Sequence, residues 1–385
     1  MIGYLDSVTP RRIGGWAVND DGGPAELTAA VNGQVISTFR PSIVRPDLDY
    51  VPRNDCGFKI ELGFILGQGD VVTVTNGQHQ HLQGSPWKVG KIQGTKEDKA
   101  AWFLRPEMKI LEVGAGYAPI APRSQGWNSY SLDHATEEEL RQKYANDRQP
   151  IERIEPVDFV WKDGPIETAI PSSHYGTFDA VIASHVIEHI PDPIGFLLSA
   201  ARLLKDDGLV VLVIPDKRVM FDFFKPITLT SDYLYAHYQR RTRHSKKTAF
   251  DNIAYNVSES NNIAWFIRPM SDFAFLKQDP LATAKQVFEQ TTEDAHDAYV
   301  DYHATVYTPS SFNLIMLELG QMGVLPFWIE HELPTAGCEF FKVLRKGNPT
   351  ILDSESLYRE RLRLMKKIVR ELSQQARWLL DEDAP

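Results

Sequence analysis

The chain has 385 residues, of which 43% are hydrophobic and 24% are charged, and its formal net charge is −10 at pH 7. A chain of this length usually holds two or more domains, and its acidic balance argues against nucleic-acid binding, which favours a basic surface. No apolar run is long enough to span a membrane and the N-terminus carries no signal peptide, so we expect a soluble, cytoplasmic protein. The two cysteines, Cys56 and Cys338, lie in apolar, strand-like stretches, which favours buried thiols over a disulfide.

Residues 1–86 carry short apolar runs and turn signals at close intervals, as in small β domains. The pairs Asn32-Gly33 and Asn76-Gly77 each predict a hairpin with a two-residue type I′ turn. We therefore expect an antiparallel β-sandwich, followed by a linker that ends near Lys99. Trp16 is either a stacking surface for carbohydrate or, as we favour, a core tryptophan.

The stretch 109–119 combines a short apolar run, an acid, two glycines one residue apart and a proline. This pattern is typical of a buried strand, a tight turn and the first turn of a helix. Gly114 and Gly116 allow a sharp turn and a close ligand, while a helix start offers unpaired N–H groups and a partial positive charge. Glu112, at the strand tip, can accept hydrogen bonds from hydroxyl or amine groups, so this site suits a nucleoside-containing cofactor.

Two other interpretations of this turn are open. A dinucleotide fingerprint needs a third glycine at position 119, where the chain has Pro119. A turn with a purely structural role is the second alternative. The pattern acid-x-G-x-G-x-G fits better at Glu112, Gly114 and Gly116, with Ala118 in place of the last glycine.

The following segments alternate between apolar strands and amphipathic helices. Residues 129–134 predict a strand ending in Asp133, which lies about 20 residues past the glycines and is placed to bind ribose hydroxyls. A third strand is predicted in 157–164. A fourth is predicted to run from residue 178 to Ser184 and His185. A helix over 194–204 and a strand over 209–214 follow. Together they predict a parallel sheet covered on both faces.

Taken together in chain order, these motifs resemble those of the class I S-adenosylmethionine (SAM)-dependent methyltransferases over roughly residues 95–345. The segments FDAVIASHVIEHIPDP and LLSAARLLKDDGLVVLVIP are similar to their fourth and fifth strands with the intervening helix. The chain is more similar still to a bacterial subgroup associated with sugar and surface-polysaccharide synthesis, through EVGAGYAPIAPR, ASHVIEHIPD, IPDKRVMFDFF, HATVYTPSSF and CEFFKVL. The N-terminal segment resembles a small β module of bacterial glycan-building enzymes, through Gly15-Trp16-Ala17, Arg45-Pro46-Asp47-Leu48 and Gly84-Ser85-Pro86.

The resemblance implies an α/β fold, with a Rossmann-like methyltransferase sheet over 95–348, SAM as cofactor and a saccharide or glycan as acceptor. It also implies that several residues line the cofactor site: Glu112, Gly114, Ala115, Gly116, Tyr117, Asp133, His134, Trp161, Asp163, Ser184 and His185.

The chemistry of methyl transfer suggests which residues act on the acceptor. The methyl group is already activated, so catalysis is mostly alignment, together with removal of a proton from the attacking hydroxyl. His185 is our first candidate for this base, and Asp216 and His303 are the second. A buried structural histidine is the alternative for His185.

The segment His185–His189 also fits the H-x-x-E-H pattern of one zinc-peptidase class. That site needs a continuous helix, whereas Pro191 limits this helix to about one turn. We therefore disfavour a peptidase. Acids are present nearby, but no spacing identifies a metal site, and we predict none.

Residues 217–302 form a long insertion after the fifth strand, where open α/β sheets bind ligands. We expect a mostly helical cap that selects the acceptor. Arg240, Arg241 and Arg243 can bind a phosphate or an acidic sugar through bidentate donors. The alternative for this basic cluster is a solvated helix surface.

Residues 351–382 predict a helix with Asp353 or Ser354 as its cap. Apolar residues at alternating spacings of four and three form a heptad seam, namely Tyr358, Leu362, Met365, Val369, Leu372, Ala376 and Leu379. A coiled coil, a helix that docks on a partner and a helix that lies on its own domain all fit this pattern.

The sequence leaves three functions open. The first is SAM-dependent O-methylation of a saccharide in surface-glycan synthesis of the O-antigen or capsule type. The second is a non-catalytic SAM-fold subunit that organises a glycan-assembly complex. The third is methylation of a small metabolite or lipid. Retention of Glu112, Gly114, Gly116, Asp133 and Asp163 favours cofactor binding and thus the first.

Overall fold

The computed structural model describes residues 1–9, 12–46, 48, 51–62, 66, 69–89, 100, 102–145, 149–162, 164–293 and 299–379. The chain divides into two compact units, Met1–Phe103 and Leu104–Pro385. Asp163, one of the predicted cofactor residues, lies outside the described residues.

Antiparallel sheets form the first unit. Its strands are β1 (Ile2–Thr9), β2 (Arg12–Val18), β3 (Leu27–Val31), β4 (Gln34–Phe39), β5 (Gly57–Glu61), β6 (Val71–Asn76) and β7 (Trp87–Lys88). One sheet has the order β1-β2-β5 and the other β4-β3-β6-β7. Side chains of both sheets share one buried cluster, which includes Leu5, Ile13, Leu27 and Val74.

Only the first of the two predicted hairpin turns has the expected length. Asn32 and Gly33 adopt φ of 49° and 81° between paired Val31 and Gln34, as a type I′ turn requires. At the second site β6 continues through Asn76, whose side-chain oxygen accepts hydrogen bonds from the backbone N–H groups of Gln78 and Gln80. This side-chain acceptor favours a longer turn, so the predicted two-residue turn was wrong there.

Trp16 is a core residue. Its side chain is only 6% exposed and packs with Val18, Leu48 and Cys56. A stacking surface needs an exposed ring face, so the structural interpretation of Trp16 is confirmed. Neither cysteine forms a disulfide within the described residues; Cys56 is buried and Cys338 is partly buried.

A seven-stranded sheet organises the second unit. The strands of this unit are β8 (Ile110–Val113), β9 (Ser129–Asp133), β10 (Phe159–Val160), β11 (Phe178–Ser184), β12 (Leu204–Pro215), β13 (Val257–Glu259), β14 (Phe273–Phe275), β15 (Phe327–Ala336) and β16 (Glu339–Lys346). The large sheet has the order β10-β9-β8-β11-β12-β16-β15, and β13 pairs with β14 in a separate two-stranded sheet. The first five strands of the large sheet are parallel, whereas β16 is antiparallel to β12 and β15. The predicted Rossmann-like α/β sheet is confirmed.

Seven α-helices accompany these strands in the described part of the unit. They are α1 (Glu137–Tyr144), α2 (Pro193–Leu203), α3 (Thr230–Tyr238), α4 (Lys246–Ala254), α5 (Pro280–Gln290), α6 (Pro309–Gln321) and α7 (Ser354–Trp378). Asp192 caps α2 by accepting a hydrogen bond from Gly195 N, and Pro193 occupies its first turn. The insertion over 217–302 contains α3, α4, α5 and the short β13–β14 pair, so it is helical in part, but most of its described residues lie outside helices. Within the described ranges, no helix combines the length and apolarity that a membrane crossing needs.

The carboxyl-terminal helix α7 packs on its own unit. Asp353 caps it by accepting hydrogen bonds from Glu355 N and Ser356 N. Leu364 and Ile368 are buried against Leu314 of α6. The predicted heptad seam lies beside this buried face and is largely exposed, with Tyr358 and Val369 each 66% exposed. Two adjacent faces of α7 are therefore apolar, and only one is covered by the described residues.

Leu364→Ala is expected to lower the free energy of unfolding by about 2–5 kcal/mol, because it leaves a cavity where Leu364 is buried between α7 and α6. Leu362→Ala is the matched control in the same helix. Leu362 is 37% exposed whereas Leu364 is 2% exposed, so we expect the control to cost less than about 1 kcal/mol. Urea unfolding of the full chain measures both. Equal costs would show that α7 is not docked through this face.

Lys217 links the start of the insertion to α7 through hydrogen bonds. Its buried ammonium donates hydrogen bonds to Phe223 O at 2.6 Å and to Gln375 Oε1 at 3.1 Å. Burial lowers the pKa of Lys217 to about 8, against the opposing effect of Asp216. The folded chain therefore releases this proton more easily than the unfolded chain does.

Lys217→Met is expected to flatten the pH dependence of stability at alkaline pH. Between pH 8 and 10.5 the unfolded chain binds this proton more tightly than the folded chain. The contribution of Lys217 to the free energy of unfolding should thus rise with pH by about 3 kcal/mol. Urea unfolding of both proteins across this range measures the difference, with the exposed Lys285→Met as control. A constant difference between wild type and Lys217→Met would contradict the expectation.

Candidate functional site

Residues predicted for the cofactor site lie in one row at the carboxyl edge of the sheet. Val113 on β8 pairs with Leu132 on β9 and with Ala183 on β11. The next residues, Gly114, Asp133 and Ser184, therefore end three adjacent parallel strands. In open α/β sheets this edge, where the strand order reverses, is where ligands bind.

The two glycines adopt conformations that other residues avoid. Gly114 has a φ of 68° and Gly116 a φ of 50°, both in the left-handed region. A Cβ on Gly114 would lie 2.9 Å from Val186 Cγ2, whereas one on Gly116 would meet nothing among the described residues closer than 3.8 Å. Because it has no side chain, Gly114 lets the turn pass close to Val186, just after β11. Gly116 leaves open space beside the turn.

Glu112 stabilises the glycine turn through hydrogen bonds to its buried carboxylate. Its two carboxylate oxygens accept hydrogen bonds from Ile120 N at 2.7 Å and from Ala121 N at 3.0 Å, and its side chain is buried. The first helical residues after the turn in this described stretch are the 3-10 turn Arg123–Gln125. The predicted helix start is therefore absent from residues 114–122, because the Glu112 carboxylate binds the backbone N–H groups of an irregular loop.

Asp133 connects the second strand to the glycine turn. Its Oδ2 accepts a hydrogen bond from Gly116 N at 3.1 Å, and its Oδ1 accepts one from His134 N at 2.7 Å. His134 Nδ1 lies 2.6 Å from the same Oδ1, and its ring is exposed. A carboxylate has about four acceptor positions, so Asp133 retains capacity for hydroxyl donors.

The remaining predicted cofactor residues surround the same turn. Ala115 O accepts a hydrogen bond from Ala118 N at 3.0 Å. Tyr117 packs edge-to-face on Tyr144, with ring centroids 4.9 Å apart. Trp161 follows β10, and its indole N–H donates to Gly164 O at 2.8 Å. These contacts fix the rings that flank the turn.

Ser184 and His185 end the fourth strand. Ser184 Oγ is buried and makes no hydrogen bond with the described residues. His185 adopts a φ of 53°, a left-handed conformation that is rare outside glycine and concentrates at functional sites. Its Nε2 lies 2.7 Å from Glu339 Oε2, and its Nδ1 lies 3.6 Å from Glu188 Oε1.

Sequence reasoning missed Glu339. It begins β16, 154 residues from His185 in the chain, and it pairs with Pro215 at the end of β12. Its place at the carboxyl edge follows from the antiparallel pairing of β16, for which the local sequence carries no signal.

The two second-choice bases have other partners. Asp216 is fully buried and accepts hydrogen bonds from Arg218 Nε at 2.9 Å and from Thr335 Oγ1. This ion pair favours a structural role, so we no longer regard Asp216 as a base. His303 is also buried, and its Nδ1 contacts Asp222 Oδ2.

His303 belongs to a cluster that the sequence did not predict. It lies beside His189, with ring centroids 4.5 Å apart, and both approach the carboxylate of Glu188. Burial opposes ionisation of Asp222, but His303 and Lys225 lower its pKa to about 2. Burial also opposes protonation of His189, yet Asp301 and Glu188 raise its pKa.

The basic residues 240–243 connect α3 to α4. They therefore do not form the helix surface considered as the alternative. Arg240 is exposed, and the Arg241 guanidinium lies over the Tyr235 ring, 5.5 Å from its centroid. The positive charge of Arg243 acts on Tyr299, whose hydroxyl donates to His189 O at 3.0 Å. The loop thus approaches the histidine cluster.

The geometry fits a nucleoside-containing cofactor. The glycine turn leaves space above Gly116, Asp133 offers a carboxylate beside it, and Ser184 holds an unpaired hydroxyl among its described neighbours. Buried polar groups normally have a hydrogen-bond partner. A ligand at this edge would supply one.

Comparison with known proteins agrees with this assignment. Residues 94–268 match the family model for a methyltransferase domain. No curated protein matches the chain.

Solved structures resemble the chain only distantly. The CcbJ methyltransferase from Streptomyces caelestis is 14% identical, with 66% of this chain and 97% of that chain covered and a TM-score of 0.35. A SAM-dependent methyltransferase from Methanosarcina mazei is 16% identical, with 64% and 95% covered and a TM-score of 0.30. A Rhodobacter sphaeroides protein provisionally named a Zn-dependent alcohol dehydrogenase is 12% identical, with 68% and 92% covered and a TM-score of 0.37.

TM-scores of this size carry no argument, so the assignment rests on the family match and on the sheet and turn described above. Residues 94–268 are therefore similar to methyltransferase domains, and the order of the large sheet agrees with a Rossmann-like fold.

Proposed function

We propose that the chain methylates a hydroxyl group of a saccharide in bacterial surface-glycan synthesis, with SAM as the methyl donor. The observation that supports this most is the pair His185 and Glu339 at the carboxyl edge. A hydroxyl acceptor needs a base, and this histidine stands one residue after the strand end that faces the glycine turn.

In the proposed reaction, a bond forms between the acceptor oxygen and the methyl carbon while the carbon–sulfur bond breaks. SAM, when bound, supplies the activated methyl group. Glu339 accepts a hydrogen bond from His185 Nε2–H and so holds the tautomer in which Nδ1 carries the lone pair. His185 Nδ1 then takes the hydroxyl proton as the oxygen attacks.

We assign the cofactor to the turn around Gly114 and Gly116. Glu112 positions this turn through Ile120 and Ala121. Asp133 accepts from Gly116 N and offers its remaining lone pairs to ribose hydroxyls. Tyr117, Trp161 and Ser184 border the same space.

The acceptor class is supported by the loop that carries Arg240, Arg241 and Arg243. Guanidinium groups bind phosphate and carboxylate groups through two parallel hydrogen bonds. The loop approaches the histidine cluster through Tyr299. A sugar that bears a phosphate or carboxylate therefore fits this edge, and the sugar hydroxyl would face His185.

A non-catalytic role in a glycan-assembly complex is the second candidate. The exposed seam of α7, with Tyr358 and Val369 uncovered, favours association with a protein partner or a second copy. We keep the proposed division into a β module over 1–86, a methyltransferase domain over 95–348 and a terminal helix over 351–382. Methylation of a small metabolite or lipid is the third candidate.

Transfer of labelled methyl from SAM to extracted glycan fractions tests the proposal. We expect label in an acidic or phosphorylated saccharide fraction. His237→Ala serves as the matched control for His185→Ala in this assay, because His237 also contacts a carboxylate, Asp192, at 2.8 Å but lies outside the proposed machinery. Label that appears only in lipid or small-metabolite fractions would overturn the saccharide assignment.

A further inference from the structure

Glu188, His189 and His303 form a compact set of metal-ligand atoms. Each offers one ligand atom, and these atoms lie within 4.8 Å of one another. Glu188 Oε1 lies 3.8 Å from His189 Nε2. Ligand atoms around one zinc ion are about 3–4 Å apart, given bonds of about 2.0–2.2 Å. Small side-chain movements would therefore bring all three atoms to one ion.

The carboxylate of Glu188 lacks the partners that a buried charge needs. Its side chain is 0% exposed, and neither oxygen makes a hydrogen bond within the described structure. The nearest basic groups are the rings of His185 and His189, at 3.6 and 3.8 Å. An unpaired buried carboxylate costs several kcal/mol, so a cation beside it would remove a large penalty.

Each histidine has an outer carboxylate beside its Nδ1, although the buried Nδ1 of His189 makes no aligned hydrogen bond within the described residues. His189 Nδ1 lies 2.7 Å from Asp301 Oδ1, and His303 Nδ1 contacts Asp222 Oδ2. These contacts leave the Nε2 atoms of the two rings for the cluster. Metal-binding histidines typically donate their other N–H to a carboxylate, which fixes the ring and its tautomer.

The His303 side of the cluster is rigidly supported. Lys225 Nζ lies 2.6 Å from Asp222 Oδ1. Asn252 accepts a hydrogen bond from His303 N at 3.1 Å and donates one to His303 O at 2.9 Å. Such support preserves ligand geometry, which a metal site requires.

The charges around the cluster also favour a cation. Glu188, Asp222 and Asp301 carry three carboxylates, of which Asp222 is paired with the ammonium of Lys225. Lys217 and Lys143 also act on Asp222 and Asp301, but no ion pair with a lysine or arginine is seen for Glu188 among the described residues. A proton on one imidazole is the competing way to balance the charge of Glu188.

We propose that Glu188, His189 and His303 bind one divalent metal ion of the kind that imidazole ligands prefer, such as zinc. Two histidines and one carboxylate are a common zinc ligand set that leaves an open position for an oxygen ligand. If the proposed function holds, an acceptor hydroxyl at that position would be polarised for attack. Binding of the ion itself does not depend on that function.

The experiment uses the full chain, free of affinity tags and depleted of metal, in the absence of SAM. Titration with Co²⁺ is followed by visible absorption, and titration with Zn²⁺ by calorimetry. We expect one ion per chain, displacement of Co²⁺ by Zn²⁺, and a higher melting temperature with the ion. Mg²⁺ serves as a comparison and should bind more weakly.

Variants locate the site. Glu188→Gln keeps the side-chain shape and His303→Ala removes one ring, and each should abolish the cobalt spectrum. Asp222→Asn should weaken binding by about 10–100-fold. His237→Ala, the carboxylate-paired control outside the cluster, should bind as wild type does.

The absence of stoichiometric Co²⁺ and Zn²⁺ binding by the wild-type chain would overturn the proposal and leave a protonated imidazole as the balancing charge. Unchanged binding in both Glu188→Gln and His303→Ala would also overturn it. Circular dichroism confirms that each variant is folded. Because no SAM is present, a failure of methyl transfer and a failure of metal binding give separate results.

Discussion

Replacement of His185 by alanine is expected to slow methyl transfer by about 10²–10⁴-fold while the affinity for SAM changes far less. The ring is the proposed base, and its Nε2 is held by Glu339 at 2.7 Å. An alanine removes the proton acceptor, but it leaves the glycine turn and Asp133 in place. Single-turnover kinetics and calorimetry with SAM measure the two quantities separately.

Glu339→Gln separates the base from the residue that positions it. We expect a smaller decrease in kcat, a changed pH profile of kcat and an unchanged KM for SAM, because the glutamine still contacts the ring but carries no charge. His237→Ala should retain wild-type kinetics. Undiminished transfer by the His185→Ala variant would remove His185 as the base.

Gly114→Ala is expected to weaken SAM binding by about 10–100-fold, equivalent to about 1.4–2.8 kcal/mol. The residue has a φ of 68°, and its new Cβ would lie 2.9 Å from Val186 Cγ2. The turn or Val186 must therefore shift. Calorimetric titration of both proteins with SAM gives the ratio of affinities.

Gly126→Ala is the matched control for this variant. Gly126 has a φ of 89°, but a Cβ there would meet no described atom within 4 Å. It therefore introduces the same kind of backbone strain, about 1–2 kcal/mol, without crowding the turn. If Gly126→Ala weakened SAM binding as much as Gly114→Ala, backbone strain alone would explain the effect and the turn would lose its assigned role.

The strands of the sheet and their parallel arrangement could be predicted because the signals for them are local. Each strand is a short apolar run that ends in a polar or small residue, as at Gly114, Asp133 and Ser184. In a parallel sheet such ends meet at one edge. The burial of Trp16 and the helix cap at Asp353 were predicted from equally local signals.

Contacts between distant segments could not be predicted. Glu339 reaches His185 only because β16 returns antiparallel to β12, and His303 reaches Glu188 across more than a hundred residues of intervening chain. Glu112 was expected to face a ligand, yet its carboxylate binds Ile120 and Ala121. Side-chain acceptors compete for backbone donors in ways that spacing does not reveal.

The α7 helix shows a third limit of prediction from the sequence. The heptad pattern predicted its apolar seam, but the face that docks is offset and contains Leu364 and Ile368. Both faces are apolar at helical spacing, so periodicity alone does not distinguish them.

Calorimetric titration of the wild-type chain with SAM and with its demethylated product tests the central assignment most directly. We expect saturable binding of both ligands at one site per chain, and weaker binding in Gly114→Ala. No binding of either ligand by the folded wild-type chain, at high ligand excess, would contradict the assignment of the carboxyl edge as a SAM site.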